Sequence, residues 1–197
     1  MYKKQLGFQK IACLFAVIAA AVCFVYSLGI ITDIYDSLYS TMRNPSDLTQ
    51  TSVPGSIIYY DMQPFNKTFL SSSIGLILLA AALFLTNTNV RRKYYISNYI
   101  ATGAYCVAAM AVTVWSHIQI QGFKHQYLTT VDFEALKEFS EMWKTPYIDS
   151  TFLLDLHYLV GVVLILSAVG LIVNLVWKVK MMRGEEALLK SGKEALA

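Results

Sequence analysis

Three histidines are the first residues in this 197-residue chain whose placement invites metal or redox chemistry. His117 and His157 each stand at the end of a long apolar run, at similar depth if those runs cross a membrane. Two imidazoles on different helices can ligate a b-type haem, which makes His117 and His157 the haem candidates of the chain. No motif surrounds them, and histidines at polar–apolar boundaries are common, so no cofactor is assigned. Asp155 lies two positions before His157, a spacing that does not bring two side chains together on a helix, so an acid–imidazole pair is not expected there. Asp155 instead favours the N-terminal end of its helix.

The remaining reactive residues offer less. Cys13, Cys23 and Cys106 all fall inside apolar runs and form no CxxC pair, so loop disulfides are excluded and the thiols read as small packing residues. No phosphate-binding glycine loop, GxSxG, HExxH or Walker motif is present, and no catalytic residue or metal site is assigned. Asn66-Lys67-Thr68 matches a glycosylation sequon but abuts an apolar run, where access is poor.

The elements that position these residues follow from composition. The chain is 56% hydrophobic and 15% charged, a balance typical of membrane proteins. Four uncharged runs cover residues 11–32, 68–90, 94–123 and 156–177. Each is long enough for a helix to cross about 30 Å of hydrocarbon, where unpaired backbone groups are not tolerated. The basic start "MYKKQLGFQK" could open a secretory signal. The run after it is longer than a signal core and lacks a small-residue cleavage site, so it is read as an uncleaved first membrane helix.

The predicted fold is therefore an all-α membrane protein in a single domain, 1–197. It is a bundle of four transmembrane helices at about 9–32, 68–90, 94–120 and 155–178. Two external loops, about 33–67 and 121–154, form a small cap, and a frayed cytosolic tail covers 179–197. Orientation follows from charge. The two terminal segments and the "NTNVRRKYY" turn carry eleven basic residues against three acidic ones, whereas the other two loops carry five against ten. Both termini are expected in the cytoplasm of a plasma (cell) membrane protein. The net charge of +3 thus reflects lipid headgroups and insertion rather than nucleic acid. Aromatic belts fit the same frame, with Tyr94, Tyr95, Tyr99 and Trp177 inside and Phe69, Trp115, Phe123 and Tyr158 outside.

Within the loops, Ile31, Ile34, Tyr35, Leu38 and Met42 keep a helical period that extends the first helix beyond the membrane. "RNPSD" and "SVPGS" break the chain, and "SIIYYDM" reads as a short strand or extended segment. "TTVDFEALKEFSEMWKTP" reads as an amphipathic helix with Thr129 or Thr130 as N-cap and a stripe of Phe133, Leu136, Phe139 and Trp143. That stripe is expected to cover the bundle mouth or to dock a partner.

The membrane midplane contains no Asp, Glu, Lys, Arg or His, which argues against an ion- or proton-coupled pathway within one subunit. Two small-residue stripes, Ala12/Ala16/Ala20 and Ala101/Ala104/Ala108, permit close helix approach. They serve either contacts inside the bundle or an interface with another subunit. The layout resembles that of tetraspanins and claudins, but neither loop contains a cysteine, so the disulfide-held loops of those families cannot form. The expected function is that of a non-catalytic accessory or scaffolding subunit of a larger membrane assembly such as a transport complex. Its expected partners are the lipid bilayer and other membrane subunits or further copies, with no nucleic acid. The alternatives are a self-assembling channel or transporter, or a haem b redox membrane subunit.

Overall fold

The computed structural model of the chain describes residues 2–30, 32–44, 47–88 and 96–194. The described chain is nearly all helical: α1 (Tyr2–Gly29), α2 (Thr32–Tyr39), α3 (Ile58–Thr88), α4 (Ile96–Thr130), α5 (Phe133–Trp143), α6 (Phe152–Asp155) and α7 (His157–Glu194). A short antiparallel hairpin, β1 (Met42–Asn44) and β2 (Asp47–Thr51), pairs Met42 with Thr51 and Asn44 with Asp47. Among the described residues four helical stretches are long and apolar enough to cross a membrane: Lys3–Gly29, Ile58–Asn87, Asn98–Thr130 and Phe152–Leu189. That count is compatible with a multi-pass membrane protein.

Three sequence expectations are corrected. The first helix does not continue unbroken beyond the membrane. It ends at Gly29, and α2 starts anew at Thr32, with Ile34 and Leu38 fully buried. "SIIYYDM" is not extended; α3 begins at Ile58. Ile58, Met62, Phe65 and Phe69 are all buried, at spacings of four, three and four, which is a helical face. Pro64 lies inside this helix, and the hydroxyl of Thr68 donates back to the Pro64 carbonyl (2.8 Å). Such back-bonding helps a membrane helix tolerate a proline. Finally, the segment from residue 179 is not frayed, because α7 runs on to Glu194. The Arg91-Arg92-Lys93 turn, with Tyr94 and Tyr95, lies outside the described residues.

The chain divides into two compact units. The terminal unit comprises Met1–Ala21, Gly75–Ala111 and Val163–Ala197. Its core is made of small residues, Ala12, Cys13, Ala16, Ala19 and Ala20, against Leu76, Leu83, Tyr105 and Leu171. The loop unit comprises Val22–Ile74 and Val112–Val162. Its core is aromatic: Phe65 stacks on Phe69 (5.6 Å between centroids) and also meets Trp115 and Phe123. Offset and edge contacts of this kind add about 0.5–1.5 kcal/mol each beyond area burial.

Candidate functional site

The loop unit places the two histidines together. His117 is exposed and His157 is 6% exposed, and their Nδ1 and Nε2 atoms are 2.9 Å apart. The Leu154 carbonyl, 2.6 Å from His157 Nδ1, can only accept, so Nδ1 carries the proton. Neutral His157 then accepts at Nε2 from His117 Nδ1–H. Every nitrogen of the pair except His117 Nε2 is engaged. The chain of bonds ends on a backbone carbonyl, and its effect is to tie α4 to the start of α7.

This geometry speaks against the haem arrangement. Metal–nitrogen bonds of about 2 Å on opposite faces of a metal separate the two ligating nitrogens by roughly 4 Å. Here the rings bond to each other directly, with centroids 5.1 Å apart, and no porphyrin plate fits between them. Asp155 makes no hydrogen bond to either histidine among the described residues. It meets Lys124 Nζ at 2.5 Å and accepts from Thr151 Oγ1 at 3.0 Å.

The amphipathic segment of the loop unit is α5, and its N-cap is Asp132 rather than Thr129 or Thr130, which end α4. Asp132 accepts from Ala135 N–H at 3.0 Å. The preceding turn is fixed by Gly55, whose φ of +79° and contact with Thr130 leave no space for a side chain. Asp132 N–H donates to Pro54 O at 3.1 Å. The stripe is not uniformly buried. Leu136 is fully buried, Phe133 meets Tyr127 edge-on and is half-buried, Phe139 is half-buried, and Trp143 is 65% exposed. Asn66 sits within α3, away from any loop of the kind a glycosylation sequon requires.

In the terminal unit the two alanine stripes part company. Ala12, Ala16 and Ala20 are buried against their own chain, whereas Ala104 is exposed and Ala101 and Ala108 are half-exposed. The same unit holds a polar layer. Tyr105 OH lies 2.9 Å from Ser167 Oγ and donates to Ala16 O at 3.1 Å, which joins α1, α4 and α7 at one level. Gln9, Asn98 and Asn174 are each seven residues, about two turns, from that junction. They lie toward the same end, because Phe8 meets Trp177 and the link from Asn87 to Asn98 is short. Gln9 donates to Asn87 O, Gln5 donates to Gln9 Oε1 (3.2 Å) and to Asn174 Oδ1 (2.9 Å), and Asn87 donates to Leu83 O (3.1 Å). Every long helix thus contributes a buried amide: Gln9 and Gln5 from α1, Asn87 from α3, Asn98 from α4 and Asn174 from α7. One turn beyond Asn174, Lys178 is also buried.

Thr102, Tyr105, Ser167 and Asn174 are legible in the sequence as uncharged polar residues of the apolar runs, able to bond to their own helix or a neighbour, whereas Gln5, Gln9, Asn87 and Asn98, near the ends of those runs, resemble caps and were not singled out. The signal was present in the four-residue spacings Gln5–Gln9, Asn98–Thr102 and Asn174–Lys178, each of which keeps two polar groups on one helix face. No family model, curated protein or solved structure matches the chain.

Proposed function

We propose that this chain is a non-catalytic, multi-pass protein of the plasma (cell) membrane with both termini in the cytoplasm. It acts as an accessory or scaffolding subunit of a larger membrane assembly, such as a transport complex. The orientation rests on the excess of basic residues in the terminal segments. The observation that carries the assembly reading is the exposure of Met142 (74%) and Trp143 (65%) at the end of a helix whose start is clamped by Asp132 and Leu136. A rigidly held exposed aromatic anchor is the usual centre of a protein interface.

The test is photo-crosslinking in intact cells with p-benzoylphenylalanine at position 143. A discrete adduct with another membrane protein is expected, together with much weaker crosslinking from the same group at exposed Glu138. Absence of an adduct, or equal smearing from both positions, would remove the basis for the reading. An adduct of twice the chain mass would favour self-assembly. The exposed Ala104 side of α4 supports that second reading, because small residues on a membrane helix let a second helix approach closely.

A further inference from the structure

The bond between His117 and His157 uses a base as its acceptor, and an imidazole is the side chain that titrates near neutral pH. With Nδ1–H of His157 held by the Leu154 carbonyl, Nε2 is the one nitrogen of that ring left to accept. It lies 2.9 Å from His117 Nδ1, a contact with room for one proton and not two. A proton added at the exposed His117 Nε2 leaves both bonds in place. A proton added at His157 Nε2 does not. It sets two N–H groups face to face, strips His117 Nδ1–H of its acceptor and makes a cation of a ring that is 6% exposed.

The surroundings do little to relieve that cation. The titratable and charged groups about His157 are His117 and Lys124 on α4, Asp155 at the end of α6, Tyr158 beside it and Tyr26 on α1. Asp155 is engaged by Lys124 and Thr151, and among the described residues no carboxylate bonds either imidazole. The Tyr26 hydroxyl donates to Leu153 O at 3.0 Å. Tyr158 meets both rings through its own ring, with centroids 4.0 Å from His157 and 5.5 Å from His117.

We propose that the His117–His157 pair is a proton-operated latch, which ties α4 to the start of α7 while His157 is neutral and releases when His157 Nε2 takes up a proton. The direction follows from proton counts. Once the two rings part, each imidazole meets water and titrates as a free one does. Above about pH 7.5 the open and closed forms hold equal numbers of protons, and the latch is insensitive to pH. Below about pH 6.5 the open form holds one proton more, so each unit of acidification raises the ratio of open to closed about tenfold. Acid therefore opens the latch. The Lys124–Asp155 pair and the Tyr26 bond hold the same junction, so opening loosens the first turn of α7 without parting the helices. That turn is reported by Leu156 N–H, which donates to Phe152 O at 3.0 Å, and by Val160 N–H, which donates to Leu156 O at 3.3 Å.

The test uses the purified full chain in a non-ionic detergent, from about pH 8 to about pH 4.5. Nitrogen NMR of histidine-labelled protein shows which ring nitrogens carry protons. Hydrogen exchange at the Leu156 and Val160 amides, corrected for the intrinsic pH dependence of exchange, measures opening. At about pH 8 His157 should carry its proton on Nδ1 alone. Between about pH 6.5 and 4.5 protection of both amides should fall by up to about 100-fold, in step with the appearance of doubly protonated His157. His157→Gln keeps an acceptor that does not titrate in this range and should abolish the pH dependence. His125→Gln, at an exposed position on α4, should retain it. The proposal is overturned if protection in the wild type is flat across this range, or if doubly protonated His157 appears while the first turn stays protected. Both results are read on the wild type alone and stand whether or not His157→Gln folds. It is also overturned if His157→Gln keeps the pH dependence or His125→Gln loses it.

Discussion

Gly55→Ala is the sharpest single perturbation available in the loop unit. Gly55 has a φ of +79°, in the left-handed region that an L side chain enters at a cost of about 1–2 kcal/mol. A Cβ built there would stand 1.9 Å from Thr130 O, 2.3 Å from Thr130 C and 2.7 Å from Val131 Cα. All three are backbone atoms at the junction of α4 and α5, and none can rotate away. Relief requires the 52–57 turn to lift off that junction. The lift breaks the Asp132 N–H to Pro54 O bond and unpacks Val53, which is 2% exposed. Overpacking adds about 1–3 kcal/mol and the lost hydrogen bond about 1 kcal/mol. The total is on the order of 3–6 kcal/mol, or roughly 6–24 °C in Tm for a chain of this length.

Gly122→Ala is the matched control. Gly122 lies within α4, has nothing within 4 Å of its Cβ position, and should gain about 0.5–1 kcal/mol from reduced backbone freedom. The assay is fluorescence-detected melting in detergent, with hydrogen exchange at the Asp132 amide as a local probe. Gly55→Ala should melt at least about 7 °C below Gly122→Ala and exchange faster at Asp132. Because α5 is held through this junction, the same variant should weaken the adduct formed at position 143. A Gly55→Ala protein that melts within about 2 °C of wild type, with Asp132 still protected, would refute the clamp.

Other substitutions probe separate parts of the structure. His157→Ala should cost about 2–4 kcal/mol, read by melting, because it leaves both the Leu154 carbonyl and His117 Nδ1–H without their partner; His117→Ala, at an exposed position, should cost less. Ala16→Leu should lower Tm by overpacking the buried face of α1, at about 1–3 kcal/mol, whereas Ala104→Leu should leave Tm unchanged and reduce any self-association seen by light scattering. The Lys124–Asp155 pair is 26% and 39% exposed, so Asp155→Asn should shift stability by no more than about 1 kcal/mol, and less at high salt.

What the amino-acid sequence alone announces depends on the length of the signal. Four apolar runs of more than twenty residues announce four long helices, since hydrocarbon leaves the backbone no other way to satisfy itself. The ends were harder. Ile58, Met62, Phe65 and Phe69 form a regular helical face, but Pro64 and the β-branched, aromatic start of "SIIYYDM" mimic an extended segment. The equal depth of His117 and His157 was legible, whereas their direct bond was not, because it depends on how two helices rotate about their axes. Trp143 completed a stripe in sequence but stands clear of the core, since α5 turns out at Lys144, in the left-handed conformation (φ 53°), before that turn can pack.

Both units join their helices through polar pairs and leave some buried polar atoms unmatched. In the loop unit histidine answers histidine, Lys124 answers Asp155, and Ser27 answers Ser73 at 2.9 Å. Such pairs hold helices together by about 0.6–2 kcal/mol each, while Asn66 Oδ1 and Gln121 Nε2 are buried there without a partner. In the terminal unit the pairing is likewise incomplete. Gln5, Gln9, Asn87 and Asn174 form a connected set, yet buried Asn98 remains outside it, with Nδ2 and Oδ1 both unpaired. If the layer served only to join helices, leucine at 98 would do so at lower cost, because an unsatisfied buried amide costs about 1–3 kcal/mol and an apolar group of similar shape does not. Asn98→Leu should therefore melt at or above wild type in detergent. An Asn98→Leu protein that melts well below wild type would show instead that Asn98 completes an internal network.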